Sequence, residues 1–592
     1  MAAHFDTIII GTGCAGYNAA DWLFDLDHKN IAILTEDVTM GTSRNTGSDK
    51  QTYYKLSLAS DGGDSVREMA ETLFAGEAMH GDTALIEAAC SVKSFMKLAL
   101  LGVPFPTNEY GEYVGYKTDH DPRQRATSCG PLTSKLMTEA LERSVKNKNI
   151  PIIDNKQVVK LLTEDNHVTG LVALDTADFT YHTFLCDNII LATGGPAGLY
   201  AHSVYPESQT GATGLALEAG AYAQNLCEWQ YGLASTKFRW NVSGTYQQVL
   251  PRYISVDTNG DEHEFLPDLD MVFLKGYQWP FDVRKLDGSS SVDMLVHQEI
   301  CQDRRVYMDF RRNPSGLDFN KLSDETRQYL NNSGALFGTP IERLAKMNKA
   351  AIELYKNNGI DLWKEPLEVA VCAQHCNGGI AVDANWESSV KGLYAVGEAA
   401  GTHGVYRPGG SALNAGQVGS MRAAEHIAYK QNLLIKASSI NWTPPAVLSS
   451  VSNVDEQWLR VRQDMSHYAG FIRNIGKMKE ILSDTVTLKK RFWQEITVFE
   501  KSELPYLYKS YDLLVTRIST LSAMVFSAEH IGSRGSGYVE ESDFFAENHA
   551  ENVIVTQGSV SRLEPVRPIP EGGGWFETVW REFNGRGDKN LC

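Results

Sequence analysis

Four short apolar runs, each followed at once by glycine or a polar residue, punctuate the chain: FDTIII (5–10), NIAIL (30–34), CDNIILA (186–192) and VKGLYAV (390–396). Runs this short, bounded by turn residues, predict buried strands of a parallel sheet. Directly after the first, GYNAADWLFDL carries helical periodicity, so residues 5–26 predict strand, glycine turn and amphipathic helix. Later stretches are periodic at helical spacing instead, notably EQWLRVRQDMSHYAGFIRN (456–474) and YDLLVTRISTLSAMVFSAEHI (511–531). The last stretch, VRPIPEGGGWFETVWREFNGRGDKNLC (566–592), is rich in glycine and proline and predicts an irregular, surface-wrapping extension. There is no internal repeat and no low-complexity tract.

The residues at the ends of those strands carry the chemistry. Gly11, Gly13 and Gly16 form G-x-G-x-x-G around Cys14 and Ala15. The first glycine permits a tight turn, the second lets backbone approach a pyrophosphate, and the third lets helix pack on strand. The second strand ends in Glu36, twenty positions after Gly16, where a carboxylate can bind a ribose hydroxyl. Strand, turn, helix, strand and acid in this order predict a dinucleotide site. The third run ends in Thr193 and Gly194, and the fourth in Gly397 and Glu398. Three widely separated pieces with polar endings characterise large oxidoreductases in which an extended FAD lies across strands returning from distant sequence.

Length and charge bound the reading. The 592 residues predict two to four domains. With 55 basic against 73 acidic residues and a net charge of −18, nucleic acid is not expected as a partner. Nine cysteines are scattered, and Cys372 and Cys376 have no second pair nearby, so no metal is expected and the thiols read as reduced. The start lacks a targeting pattern, and no run of about 18 apolar residues predicts a membrane span. A cytoplasmic protein is expected, and no pattern assigns an oligomeric state.

One further stretch, HGVYRPGGSALNAG (403–416), sets the guanidinium of Arg407 among glycines, small residues and a proline. Together with LGVPF (101–105), RATSCGPLTSKLMTEAL (125–141), TGLALEAGAYAQNLCEWQ (213–230), QHCNGGIAVD (374–383) and SAEHIGSRGSGY (527–538), it resembles the flavoprotein subunits of fumarate reductase and succinate dehydrogenase, with L-aspartate oxidase as a cousin. The resemblance implies an α/β fold: a Rossmann-like FAD-binding domain with a parallel sheet (1–235 and 366–430), an inserted α+β capping domain (236–365) and a C-terminal helical domain (431–592).

It also implies roles. Arg407 and His375 fall where the family clamps a substrate carboxylate, a task suited to a guanidinium fork and a buried imidazole. Glu398, Ser411, Ala412 and Leu413 match positions along the flavin, as does the loop Ser43, Arg44, Asn45, Thr46 and Gly47. Four departures alter the expectation. Arg44 stands where membrane-bound relatives carry the histidine that links FAD covalently, so FAD should be non-covalent. A second substrate histidine is absent after Tyr231-Gly232. Met294 stands where the proton-delivering arginine should be, and TGATG (210–214) lacks its acid. Candidate proton carriers are His297, one helical turn beyond Met294, and Arg284, Tyr231, Arg239 or His375 itself. The losses fall on the substrate side and the nucleotide side is intact. The implied function is hydride transfer between flavin N5 and a small anionic, carboxylate-bearing substrate, by C=C reduction or its reverse, with chemistry other than ordinary fumarate reduction. Two alternatives stand: a flavin subunit of a larger complex with an iron–sulfur redox partner protein, and a flavoprotein of a redox-neutral reaction.

Overall fold

The computed structural model describes residues 3–59, 63–430, 442–449, 452–542, 551–556, 560–572 and 574–585. Strand β1 (Ala3–Ile10), helix α1 (Cys14–Asp25) and strand β2 (Ile31–Leu34) follow the first two apolar runs. Ile8, Ile9, Ile31, Ile33 and Leu34 are fully buried, as a strand covered on both faces requires. Next come β3 (Lys156–Glu164), β4 (His167–Asp175) and β5 (Tyr181–Leu191). Further along are β6 (Trp229–Ser235), helix α2 (Ser290–Cys301), β7 (Leu367–Cys376), β8 (Leu393–Ala395), α3 (Ser411–Tyr429) and α4 (Leu504–His530).

A seven-stranded sheet has the order Ile152–Ile153, β2, β1, β5, β4, β3, with β8 also joining β5. It is parallel across Ile152–Ile153, β2, β1, β5 and β8 and antiparallel across β5, β4 and β3. The expected parallel sheet is therefore mixed. The two-residue turn Asp165–Asn166, with φ of 49° and 61°, ties β3 to β4 as a hairpin, and a hairpin forces antiparallel neighbours. The register sets Ile10 beside both Leu34 and Leu191, and Leu191 beside Ala395. Gly11, Glu36, Thr193 and Gly397 thus emerge together at the carboxyl edge, where open α/β sheets bind ligands.

A six-stranded antiparallel sheet has the order Trp240–Asn241, β6, β7, Arg305–Asp309, Arg252–Val256, Glu262–Glu264. Residues 236–365 are therefore stitched onto β6 and β7, which lie on either side of them in sequence. The core here is aromatic, with Tyr200, Trp229, Tyr231, Trp240 and Tyr246 buried.

The C-terminal region packs helices Val454–Tyr468, Ile475–Glu495 and α4, and returns strand Glu551–Val555 to pair with Ala223–Gln224. In the SAEHIGSRGSGY stretch, Arg534 donates from Nε to Glu228 Oε1 at 3.0 Å, both groups being buried. Removing one partner of such a pair costs about 3–5 kcal/mol, because the other is left buried and charged. The chain end departs from the irregular extension expected, since Phe576–Gly585 is a helix. Pro568, Pro570, Gly572 and Gly574 cluster before it, and Phe576, Val579 and Trp580 fall at helical spacing. Gly573, residues 586–592 with Cys592, and the start of the expected C-terminal domain at 431–441 lie outside the described residues.

Candidate active site

A cavity of about 960 Å³ runs from the carboxyl edge of the seven-stranded sheet to the loops above β6 and β7. At its nucleotide end α1 begins after Gly13, which caps it without a side chain. The first-turn N–H groups and the positive end of the helix dipole therefore face the cavity. Of these, Cys14 N donates to Ser43 Oγ at 3.3 Å. Gly11 has φ +110°, and a Cβ on Gly16 would lie 2.0 Å from Gly11 O, so the first glycine makes the turn and the third lets helix pack on strand. Cys14 and Ala15 line the wall, while the Cys14 thiol turns inward to Thr138 Oγ1 at 2.9 Å and burial pushes it up. Glu36 lines the same end, 2.6 Å from Lys509 on α4.

The loop expected along the flavin splits. Thr42, Ser43, Thr46 and Gly47 line the cavity, whereas Arg44 and Asn45 do not. The short helix Thr42–Asn45 turns them away: Arg44 pairs with Glu142 at 2.7 Å, and Asn45 Nδ2 donates to Thr39 O and Gly41 O. At the other end α3 starts after Gly410, φ +88°, again with no side-chain cap. Gly409, Gly410, Ala412 and Leu413 form the wall there, and Ser411 lies behind it, as Gly16 does at the nucleotide end. Thr193, Gly194 and Glu398 complete the lining.

Arg407 and His375 meet in this cavity, as expected. Arg407 is half-buried, its buried Nε has no hydrogen-bond partner among the described residues, and desolvation pushes the guanidinium down to about 10. His375 lies 2.9 Å from Asn377 Oδ1 through Nδ1. Asn377 Nδ2 donates to Val405 O at 3.1 Å, which orients the amide and so puts the His375 proton on Nδ1. Nε2, buried and without a partner among the described residues, carries the lone pair, and burial with Arg407 nearby holds the ring well below the usual histidine range. His403 stacks edge-on at 4.7 Å, and burial holds it at about 3. Beneath them Glu398 accepts from Cys376 N at 2.8 Å and from the Tyr205 hydroxyl, and burial pushes its carboxyl up to about 7.

The wall facing this pair comes from the inserted segment. Gly276, Tyr277, Gln278, Trp279 and Pro280 line the cavity on a loop pinned by backbone bonds, Gly244 N to Gly276 O at 2.7 Å and Phe281 N to Tyr231 O at 2.7 Å. Where the second histidine is absent, a Cβ on Gly232 would lie 2.8 Å from the Trp279 ring and 2.9 Å from Gln374 Nε2. Indole and amide fill that place. Gln374 sits on a β-bulge: Gln230 pairs with His375 and Tyr231 with Ala373, leaving Gln374 as the extra residue.

His297 is not in this site. It lines a separate cavity of about 240 Å³ with Tyr231, His202, Cys301 and His467. Its helix, α2, buries Val292, Asp293 and Val296, with Asp293 paired to Lys275, so His297 turns toward Phe471. Arg284 stacks on Tyr406 at 3.4 Å and Arg239 binds Tyr205 O and Glu207, so neither lines the main cavity. The acid absent from TGATG is replaced in space: Asp512 of α4 accepts from Leu215 N at 2.9 Å. Of the residues missed in the sequence, His403, Asn377 and Gln374 stood within the quoted stretches, whereas Tyr205 and Trp279 lay outside them; Gln374, Tyr205 and Trp279 acquire meaning only from the fold.

The residues fit FAD. Two uncapped helix N-termini face one cavity, glycines hold its wall where a Cβ would collide, and buried Thr42 Oγ1 and Thr193 Oγ1 lack partners among the described residues.

Comparison with known proteins agrees. A family model described as FAD binding domain matches residues 6–413. L-aspartate oxidase of Acinetobacter baylyi is 24% identical over 82% of this chain and 85% of its own. A fumarate reductase (CoM/CoB) subunit of Methanothermobacter marburgensis is 23% identical over 97% of this chain and 94% of its own. The structure of E. coli quinol fumarate reductase superposes with a TM-score of 0.71 at 19% identity, covering 97% of this chain and 98% of that one.

Proposed function

We propose, for a chain that belongs to the FAD binding domain family and is an FAD-dependent oxidoreductase of the fumarate reductase and L-aspartate oxidase group, that it reduces or dehydrogenates a small carboxylate-bearing substrate. FAD, when bound, supplies a two-electron carrier that exchanges hydride at flavin N5. The observation that carries the reading is Arg407: a half-buried guanidinium on the cavity wall beside His375, whose buried Nε has no partner among the described residues. A carboxylate offers it two charge-assisted bonds and compensates a cation that burial otherwise disfavours.

His375 presents Nε2 as an acceptor and takes up a proton only when an anion arrives beside it. That makes His375 the proton-handling group of this reading, in place of His297. Glu398, Tyr205 and His403 hold the floor on which these two side chains rest. FAD is held non-covalently in this reading, because Arg44 is engaged with Glu142 and carries no group that forms such a link. Electrons come from a redox partner protein, in keeping with a relative that is by name one subunit of a larger enzyme.

The test is an anaerobic one. The reduced holoenzyme is mixed with unsaturated acids and keto acids, and flavin reoxidation is followed by absorbance. Arg407→Ala slows the response to the active acid by about a hundredfold or more. An unchanged response would reject the carboxylate clamp.

A further inference from the structure

Resting on that reading, we infer that Gln374 and Trp279 bind the far end of the substrate, and that this end is flat, uncharged and carries both a donor and an acceptor, as a carboxamide does. The substrate is then a monocarboxylate and not a dicarboxylate.

Three observations converge on this class. Gln374 is 8% exposed, lines the cavity beside His375, and neither its Nε2 nor its Oε1 has a hydrogen-bond partner among the described residues. A buried amide left so calls for a ligand that supplies an acceptor to one atom and a donor to the other. The β-bulge at this residue re-aims the side chain toward Gly232 and the Trp279 ring. Trp279 is held from behind by its loop, since Phe281 N donates to Tyr231 O at 2.7 Å, Val283 N to Gly535 O at 3.0 Å and Ser536 Oγ to Phe281 O at 2.6 Å. A fixed indole face beside a primary amide suits a planar group.

Charge excludes the alternative. A second carboxylate needs a second cation on the wall, and among the described residues the cavity's lysines do not supply a buried, unpaired one. Lys50 and Lys117 are exposed, and Lys156 is paired with Asp175. The loop after Gly47 holds instead the buried carboxylate of Asp49, which lines the cavity and accepts from Thr245 N of the inserted segment at 2.9 Å. Facing a second anion, that carboxylate repels it.

The test titrates the oxidised holoenzyme with succinate, its monoamide and butyrate, reading dissociation constants from the flavin difference spectrum. The monoamide should bind at least about tenfold tighter than succinate, since each unmatched buried polar group weakens binding. Gln374→Leu should weaken the monoamide by about tenfold or more and butyrate by less than about threefold, with the FAD absorbance per chain unchanged. Trp279→Ala should weaken the monoamide more than butyrate. Succinate binding as tightly as its monoamide in the unaltered holoenzyme would overturn the inference without any variant. Equal loss of all three ligands in Gln374→Leu, with a shifted flavin spectrum, would overturn it by giving the amide to the flavin. Arg407→Lys separates the two levels. If it weakens every ligand, the clamp stands whatever the far end prefers. If it weakens none, or if no ligand perturbs the flavin, the underlying carboxylate reading falls.

Discussion

The two ends of the cavity are built from different materials. At the nucleotide end the contacts are backbone: Gly11 and Gly13, the open start of α1, and strand ends aligned by the parallel register. At the substrate end they are side chains, drawn from β7, from the stretch before α3 and from the inserted loop around Trp279. A backbone cradle tolerates change in nearly every side chain except glycine. A side-chain wall can be rebuilt residue by residue while the cofactor stays in place. This fits a chain that carries a complete dinucleotide signature while departing, in the resemblance, at a histidine and an arginine elsewhere.

The sharpest way to break this contrast is at the nucleotide end. Gly16→Ala puts a carbon 2.0 Å from Gly11 O, and FAD absorbance per chain should fall more than about tenfold. Retained FAD would mean that the helix can shift and the cradle is not rigid. At the substrate end, Arg407→Ala should lower kcat/KM for the responding acid by about a hundredfold to a thousandfold, the scale of a lost charge-assisted pair, while FAD stays bound. Loss of FAD together with activity would show that the two ends are not separable.

A smaller effect is expected from Arg44→Ala. Glu142 loses one partner but keeps Lys146 at 2.7 Å, so urea unfolding should report a loss of about 1 kcal/mol. Acid precipitation should release the flavin from both proteins. Flavin that stays with the precipitate would refute non-covalent binding.

The smallest effect concerns Asp512, whose carboxyl burial pushes up to about 7. A carboxyl raised on folding adds stability that is complete below its unfolded value near 4 and is lost as pH rises through 7. Asp512→Asn removes this loss, so its melting temperature relative to the parent should rise by about 2–4 °C between pH 5 and pH 8. A difference that does not move with pH would show that Asp512 does not titrate there.

What can be read from the sequence follows the same division. Gly11, Gly13, Gly16 and Glu36 are legible because their chemistry is local: turn, helix start and strand end lie within a few dozen residues. Arg407 and His375 are legible because each sits in a recognisable block. Gln374 and Trp279 are not, since their meaning depends on a bulge between strands more than a hundred residues apart and on a loop pinned from the C-terminal region. His297 falls outside the site for a related reason. Helical spacing sets it near Met294, but the rotation of α2 is decided by the buried Asp293–Lys275 pair and Val296. Arg44 and Asn45 belong to the flavin loop by adjacency alone, and one helical turn carries them to its other side.

The pairing of β8 with β5 has a consequence for synthesis. Leu393 lies beside Ile189, so the sheet edge that receives the flavin gains its last strand only after roughly two-thirds of the chain has left the ribosome. Strand Glu551–Val555 closes on Ala223–Gln224 later still. The nascent protein must therefore carry its glycine cradle unfinished while the inserted segment is made. Chains truncated before residue 393 should capture no flavin, however complete their first two hundred residues.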